Sequence, residues 1–294
     1  MAADKPGLKR RNFIIVALLS FLVMEFSDII GVILSLVILD GIEMSDGMTF
    51  VTYYYLPCIG LFVIMPLFMY FWDRDVFRDI LPANREGALP GNTVRMLGLG
   101  LLAGFATNGF CILLAWLHKD IHFDIGNVEW LTMIYAFICT FIQSGSEEIL
   151  TRQYMLGSLR RRYPEWFAII FNAAIFMLLH IFNDGISALA LVSLFVCGMS
   201  YSIVVCYTGS LWMAVGIHTM WNFTQQFIFG LPNSGLVSGA SILKLDAATA
   251  RDSLFYSVDF GVEETVISIA ADAALGIIVY LWARRRRTTD GSAD

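Results

Sequence analysis

Apolar runs of about membrane-crossing length recur along this chain, and they leave it few folds to adopt. A helix needs about 20 apolar residues to cross a hydrocarbon core of roughly 30 Å. By that measure eight runs qualify as spans: 13–39, 50–72, 93–117, 130–158, 166–183, 187–207, 211–230 and 262–283. The fifth and sixth are separated by only a few residues, so seven is the alternative count. The expected fold is all-α, a polytopic transmembrane helix bundle of about eight spans forming one integral membrane domain over 1–294. Composition agrees: 57% of residues are hydrophobic and 15% charged, and the mean hydropathy is +0.69. A soluble chain carries about 45–50% apolar and about 25% charged residues.

The net charge of −6 gives no electrostatic reason to expect a nucleic-acid partner. Five cysteines lie in or beside apolar runs without CxxC spacing, which argues against a disulfide framework or a cysteine zinc site. The first run follows Lys9, Arg10 and Arg11 but has no small-residue cleavage site, so it reads as a retained span.

Basic residues orient the bundle, because short cytoplasmic loops are enriched in Lys and Arg. Four clusters fall on one side of an eight-span chain. They are Lys5 with Lys9, Arg10 and Arg11; Arg74, Arg78, Arg85 and Arg95; Arg160 to Arg162; and Arg284 to Arg287. Loops on the other side are poor in them, so both termini are expected to be cytoplasmic and the protein a multi-pass component of the cell membrane. Pro57 and Pro66 are expected to kink the second span, and Gly100 with Gly104 forms a GxxxG pair suited to close helix approach. Asp246–Tyr256 is expected to lie as a short interfacial helix.

Ionisable groups inside a membrane are costly and usually face the bundle interior. Adjacent Glu147 and Glu148 cannot both stay charged there without a counter-charge or a shared proton. Glu148 and Arg152 stand at i and i+4 on one helical face, whereas Glu147 points about 100° away. Glu148 is therefore expected to be anchored by Arg152, leaving Glu147 free to titrate. His180 lies on the fifth span, and His218 and Asn222 share a face of the seventh at i, i+4. Depth brings them together. Glu147 is 13 residues before Arg160, about 20 Å of helix. His180 is 14 residues after Trp166, about 21 Å in from the same side. His218 and Asn222 sit roughly 10–17 Å into their span. Glu25, Asp28 and Asp272 are buried acids with packing or entry-lining roles outside the site, and Asn183 with Asp184 reads as a helix stop.

Three motifs in order, Glu147-Glu148-x-x-x-Arg152, Phe176-x-x-x-His180 and His218-x-x-x-Asn222, resemble the CPBP family over roughly 140–225. That family includes type II CAAX prenyl endopeptidases and bacteriocin-processing and immunity proteins. The resemblance implies an intramembrane endopeptidase in which Glu147 and His180 activate a water, His218 and Asn222 form the oxyanion hole, and Glu148 with Arg152 braces the site. It implies a protein or peptide substrate, lipid-modified or membrane-bound, met within the bilayer. Zinc on Glu147, His180 and His218 is the alternative cofactor reading. HExxH is absent, Asn222 is a poor zinc ligand and a glutamate can act on water directly, so a metal-independent mechanism is favoured. Two other classes compete: a proton-coupled transporter, which would carry internal repeats that are not found, and a non-catalytic immunity or scaffold protein that keeps the pocket for binding.

Overall fold

Helix accounts for nearly all regular structure in the computed structural model, which describes residues 11–78, 93–126 and 128–289. Lys5, Lys9, Arg10 and Arg85, counted above among the orienting charges, lie outside the described residues.

Every apolar run forms helix, though not always one uninterrupted helix. α1 (Phe13–Leu39) begins where the Asn12 side chain accepts the Ile14 N–H at 3.0 Å. The second run is broken into α2 (Asp46–Tyr54) and α3 (Ile59–Trp72) by a 3₁₀ turn, Leu56–Cys58, that contains Pro57. Pro66 lies inside α3, which continues through it. After the short α4 (Arg74–Arg78) comes α5 (Thr93–Leu117), then α6 (Trp130–Glu148), which runs on as a π-helix, Ile149–Leu156, into α7 (Gly157–Leu159). α8 (Glu165–Leu179) precedes α9 (Ala188–Thr208), which Ser187 caps and Gly209 closes at φ +70. α10 (Leu211–Phe223) widens into a π turn, Thr224–Ile228, and α11 (Val266–Thr289) is last. Strands β1 (Phe123–Ile125) and β2 (Leu243–Leu245) pair antiparallel.

Five of these elements are long and apolar enough to cross a membrane: Phe13–Val37, Asp46–Trp72, Thr93–Leu117, Ala188–Thr208 and Val266–Arg285. The three runs built on α6, α8 and α10 are shorter or less apolar. The fifth run stops at Leu179 rather than at 183. Asn183 turns away to donate to the Ser234 carbonyl at 3.2 Å, and Gly185 adopts φ +73. The 15 residues of α8 span only about 22 Å. Asp246–Tyr256 is not helical. The Asp246 carboxylate accepts the Ala248 N–H (3.2 Å), and Arg251 is drawn to Asp120 (3.1 Å), so the segment folds as turns beside β2.

Polarity is inverted relative to a soluble protein. Large apolar side chains such as Leu22, Phe26, Ile29, Phe71, Leu102 and Ile278 are exposed on the helix surfaces, while Arg152, Asn172, Gln225 and Gln226 are buried. The two ends differ in charge. At one end Asp73 receives Arg11 and Arg161, each at 3.0 Å, and Arg11 also donates to the Tyr154 hydroxyl at 2.9 Å. This gathers the start of α1, the end of α3 and the α7–α8 turn. At the other end the β1–β2 pair ties the segment after α5 to the segment before α11, and the buried Asp120 carboxylate collects His118 (2.9 Å), Arg251 (3.1 Å) and Ser253.

Gly100 and Gly104 work as the GxxxG pattern expects. A Cβ on Gly100 would meet the Met213 carbonyl oxygen and come within 3.1 Å of Gly216, and one on Gly104 would meet the Ile217 carbonyl oxygen. α5 and α10 therefore touch backbone to backbone directly beside His218. Gly104→Leu is expected to force the helices apart, lowering the unfolding midpoint in detergent and activity together. Gly98→Ala, whose Cβ meets nothing within 4 Å, should leave both unchanged.

The Asp120 cluster carries a pH dependence. Burial pushes its carboxyl up, but hydrogen bonds from Ser253, His118 and Arg251 outweigh that and hold it below the ordinary aspartate value of 3.8. A depressed folded value means the stabilisation is complete above pH 3.8 and is lost as pH falls through that lower value. Amide protection across β1–β2, taken relative to the intrinsic exchange rate at each pH, should therefore fall on acidification in the wild type. In Asp120→Asn it should already be low at neutral pH.

Candidate active site

Glu148 and Arg152 form an ion pair at 3.0 Å, with both side chains fully out of solvent. Desolvating two charges costs several kcal/mol per ion unless further contacts compensate. Here they do. Glu148 Oε1 also accepts from His218 Nδ1 at 2.9 Å, and Arg152 donates to the Thr151 hydroxyl at 2.7 Å. The guanidinium lies over the Phe176 ring at 4.2 Å and the Tyr201 ring at 5.5 Å. One pair thus joins α6 to α8, α9 and α10.

Glu147, one residue away, faces elsewhere, as the helical rotation expects. Its Oε2 lies 3.9 Å from His180 Nε2 and 4.0 Å from His218 Nε2, and it has no hydrogen-bond partner. Glu147, His180, His218 and Asn222 all line one hollow of about 390 Å³, with Tyr55 and Asn233 among its other walls. A smaller cavity of about 40 Å³ lies behind them. His180, His218 and Asn222 line both spaces, and Asp272 and Glu263 line only the smaller one. Asp272 is buried, whereas Glu25 and Asp28 are exposed and are not among the residues that line the hollow.

The histidines are oriented by their other ring nitrogens. His180 caps the end of α8 instead of standing within a longer helix, and its Nδ1 bonds the Phe176 carbonyl at 2.9 Å. A carbonyl can only accept, so Nδ1 carries the proton and Nε2 is directed at Glu147. That carbonyl belongs to the last turn, where helix carbonyls lack intrahelical partners, which explains the FxxxH spacing. For His218 the Glu148 carboxylate takes the Nδ1–H and leaves Nε2 to the hollow.

Neither continuation of the site helices is regular. Directly after Glu148 the Thr151 hydroxyl bonds the Glu147 carbonyl at 2.5 Å, and Asn172 donates to the Thr151 carbonyl at 2.7 Å. Side chains that insert into the backbone ladder widen a helix locally, and the π segment Ile149–Leu156 results. A second π turn follows Asn222, with the Phe229 N–H bonding the Thr224 carbonyl at 3.1 Å. Sequence periodicity gave no sign of either.

Two residues absent from the sequence-level site belong to it. Gln143 donates to Glu147, and its Oε1 accepts from Asn222 at 3.2 Å. Its position four residues before Glu147, on the same face, is the signal that could have found it. Tyr201 carried no signal, since a tyrosine in an apolar run reads as packing.

A zinc ion tests the alternative cofactor. Two ligands about 2.0–2.1 Å from a tetrahedral zinc stand about 3.3 Å apart. The Glu147–His180 and Glu147–His218 separations of 3.9 and 4.0 Å are wider. Among the described residues no group of three His, Cys, Asp or Glu has metal-holding geometry. The separations are wider than a tetrahedral zinc shell by about 0.6 Å.

Arg152→Met should leave Glu148 buried without its counter-charge, at a cost of about 3–5 kcal/mol. Unfolding in mixed micelles should show that loss. A lysine replacement should recover only part of it, because lysine cannot lie flat between two rings.

Comparison with known proteins agrees with this geometry. Residues 128–224, about a third of the chain, match the family described as Rce1-like, type II CAAX prenyl endopeptidase. A search of curated proteins found no match. The matched segment runs from the start of α6 to the end of α10 and so contains Glu147, His180, His218 and Asn222. Over this third of its length the chain is similar to that family, and the match indicates a membrane peptidase.

Proposed function

We propose that this peptidase hydrolyses a peptide bond inside the bilayer with a water activated by Glu147 and His180 and with His218 and Asn222 as the oxyanion hole. The observation that carries it is the convergence of Glu147 Oε2, His180 Nε2 and His218 Nε2 within 4.0 Å on one wall of the hollow. A water donating one hydrogen to His180 Nε2 and the other to Glu147 Oε2 spans their 3.9 Å separation. Glu147 removes a proton, and the remaining hydroxide adds to the scissile carbonyl carbon. The carbonyl electron pair moves to oxygen, where Asn222 Nδ2–H and His218 Nε2–H receive the charge. For this step His218 acts with both ring nitrogens protonated, Nδ1–H on Glu148. Collapse of the adduct breaks the C–N bond, and the amine leaves with the proton held by Glu147. No metal is required.

The substrate is a protein or peptide held in or at the membrane, with lipid-modified chains among the class. The bundle crosses the cell membrane eight times with both termini cytoplasmic. The gathering of Arg11 and Arg161 on Asp73 at one end, opposite the strand pair, supports that orientation under the positive-inside rule.

Glu147→Gln keeps shape and removes the base. Cleavage of a quenched membrane peptide in nanodiscs should fall by about 10²- to 10⁴-fold, with the unfolding midpoint retained. Chelators should leave wild-type turnover unaltered. Full activity in Glu147→Gln, or loss on chelation that zinc restores, would contradict the mechanism.

A further inference from the structure

Gln143 touches both halves of the proposed machinery. Its amide nitrogen donates to Glu147 Oε1. Its amide oxygen accepts from Asn222 Nδ2 at 3.2 Å and from the Ser144 hydroxyl at 3.0 Å. Ser144 Oγ in turn stands 3.4 Å from Asn222 Nδ2. Two donors converge on Oε1, so that end of the amide must be the carbonyl, and the NH₂ end is left to the carboxylate. Reversed, the amide would set its oxygen against the Glu147 carboxylate and its NH₂ against two donors. The polarity is therefore locked from both sides.

That lock has two consequences. Glu147 is held by Oε1, which leaves Oε2 directed at the two imidazoles. Asn222 has its NH₂ group turned toward α6, where it donates to Gln143 Oε1 at 3.2 Å and more weakly to Ser144 Oγ at 3.4 Å, and it lines the hollow. A free asparagine could as readily present its carbonyl, which would repel an oxyanion.

We propose that Gln143 is a positioning residue that couples the general base to the oxyanion donor, setting the orientation of Glu147 and Asn222 at once. This rests on the peptidase mechanism above. It makes the base and the oxyanion hole one hydrogen-bonded unit on two helices, so that a defect in either is felt by the other.

The full chain in nanodiscs, cleaving a quenched membrane peptide, tests it. Gln143→Met removes both bonds, and Gln143→Glu keeps the shape and the acceptor but loses the donor to Glu147. Each is expected to lower kcat about 10- to 100-fold, the scale for an outer hydrogen-bond partner, with KM changed less than about twofold and the unfolding midpoint unmoved. The double variant Gln143→Met/Asn222→Ala should lose less than the product of the two single losses, because Gln143 acts partly through Asn222. Wild-type kcat in Gln143→Glu, or fully additive losses in the double variant, would overturn the coupling. Glu147→Gln in the same assay separates the two levels: if it too is fully active the mechanism itself fails, and if it alone is inactive only the role of Gln143 does.

Discussion

A buried ion pair, Glu148 with Arg152, fixes the geometry on which the rest of the site depends. In a medium that cannot solvate charge, its members must be satisfied by whatever packs around them, and that requirement selects the neighbours. Glu148 takes the proton of His218 Nδ1, while Phe176 and Tyr201 cover the guanidinium. Four helices are thereby registered against one point. Glu147 is freed by the same arrangement, since the adjacent carboxylate already has the counter-charge and one helical step turns Glu147 to the hollow. A double glutamate that would be unfavourable on a lone membrane helix becomes a neutralised anchor and a carboxylate facing the hollow.

The bundle protects this polar interior by dividing labour among its helices. Those apolar enough to meet lipid unaided are α1, α2–α3, α5, α9 and α11. Those that carry the site, α6, α8 and α10, are shorter or more polar and pack against them. α10 is seated on α5 through backbone contact at Gly100, Gly104 and Gly216, so His218 and Asn222 inherit the rigidity of a neighbour that has no polar role in the hollow. Side chains held on helices rather than loops keep their mutual geometry within narrow limits.

Much of this was legible in the sequence because membrane physics writes large signals. Apolar runs gave every long helix, though not the short α4, the i, i+4 spacing gave the Glu148–Arg152 pair, and counting residues from the charged end put Glu147, His180 and His218 at similar depth. The motifs that matched the CPBP pattern are the residues that meet at the hollow. What was not legible depends on tertiary contacts. The π segments arise from Thr151 and Asn172 entering the backbone ladder, and no periodicity in the apolar pattern encodes that. α8 stops at Leu179 because a distant carbonyl, that of Ser234, receives Asn183. The stretch 246–256 looks amphipathic in isolation but is claimed by Asp120 across the β1–β2 pair. Gln143 was passed over because a neutral amide in a membrane helix reads as a packing contact until its partners are known.

The central claim is that one carboxylate stands between two imidazoles on separate helices. Nitrogen-15 NMR of histidine-labelled protein in nanodiscs tests it most directly. His118 and His122 replaced by glutamine leave His180 and His218 of the four histidines. Both Nδ1 signals should show a retained proton, and Glu147→Gln should shift the Nε2 signals of both rings while leaving the Nδ1–H resonances in place. A shift confined to one ring, or to neither, would mean that Glu147 does not join the two histidines.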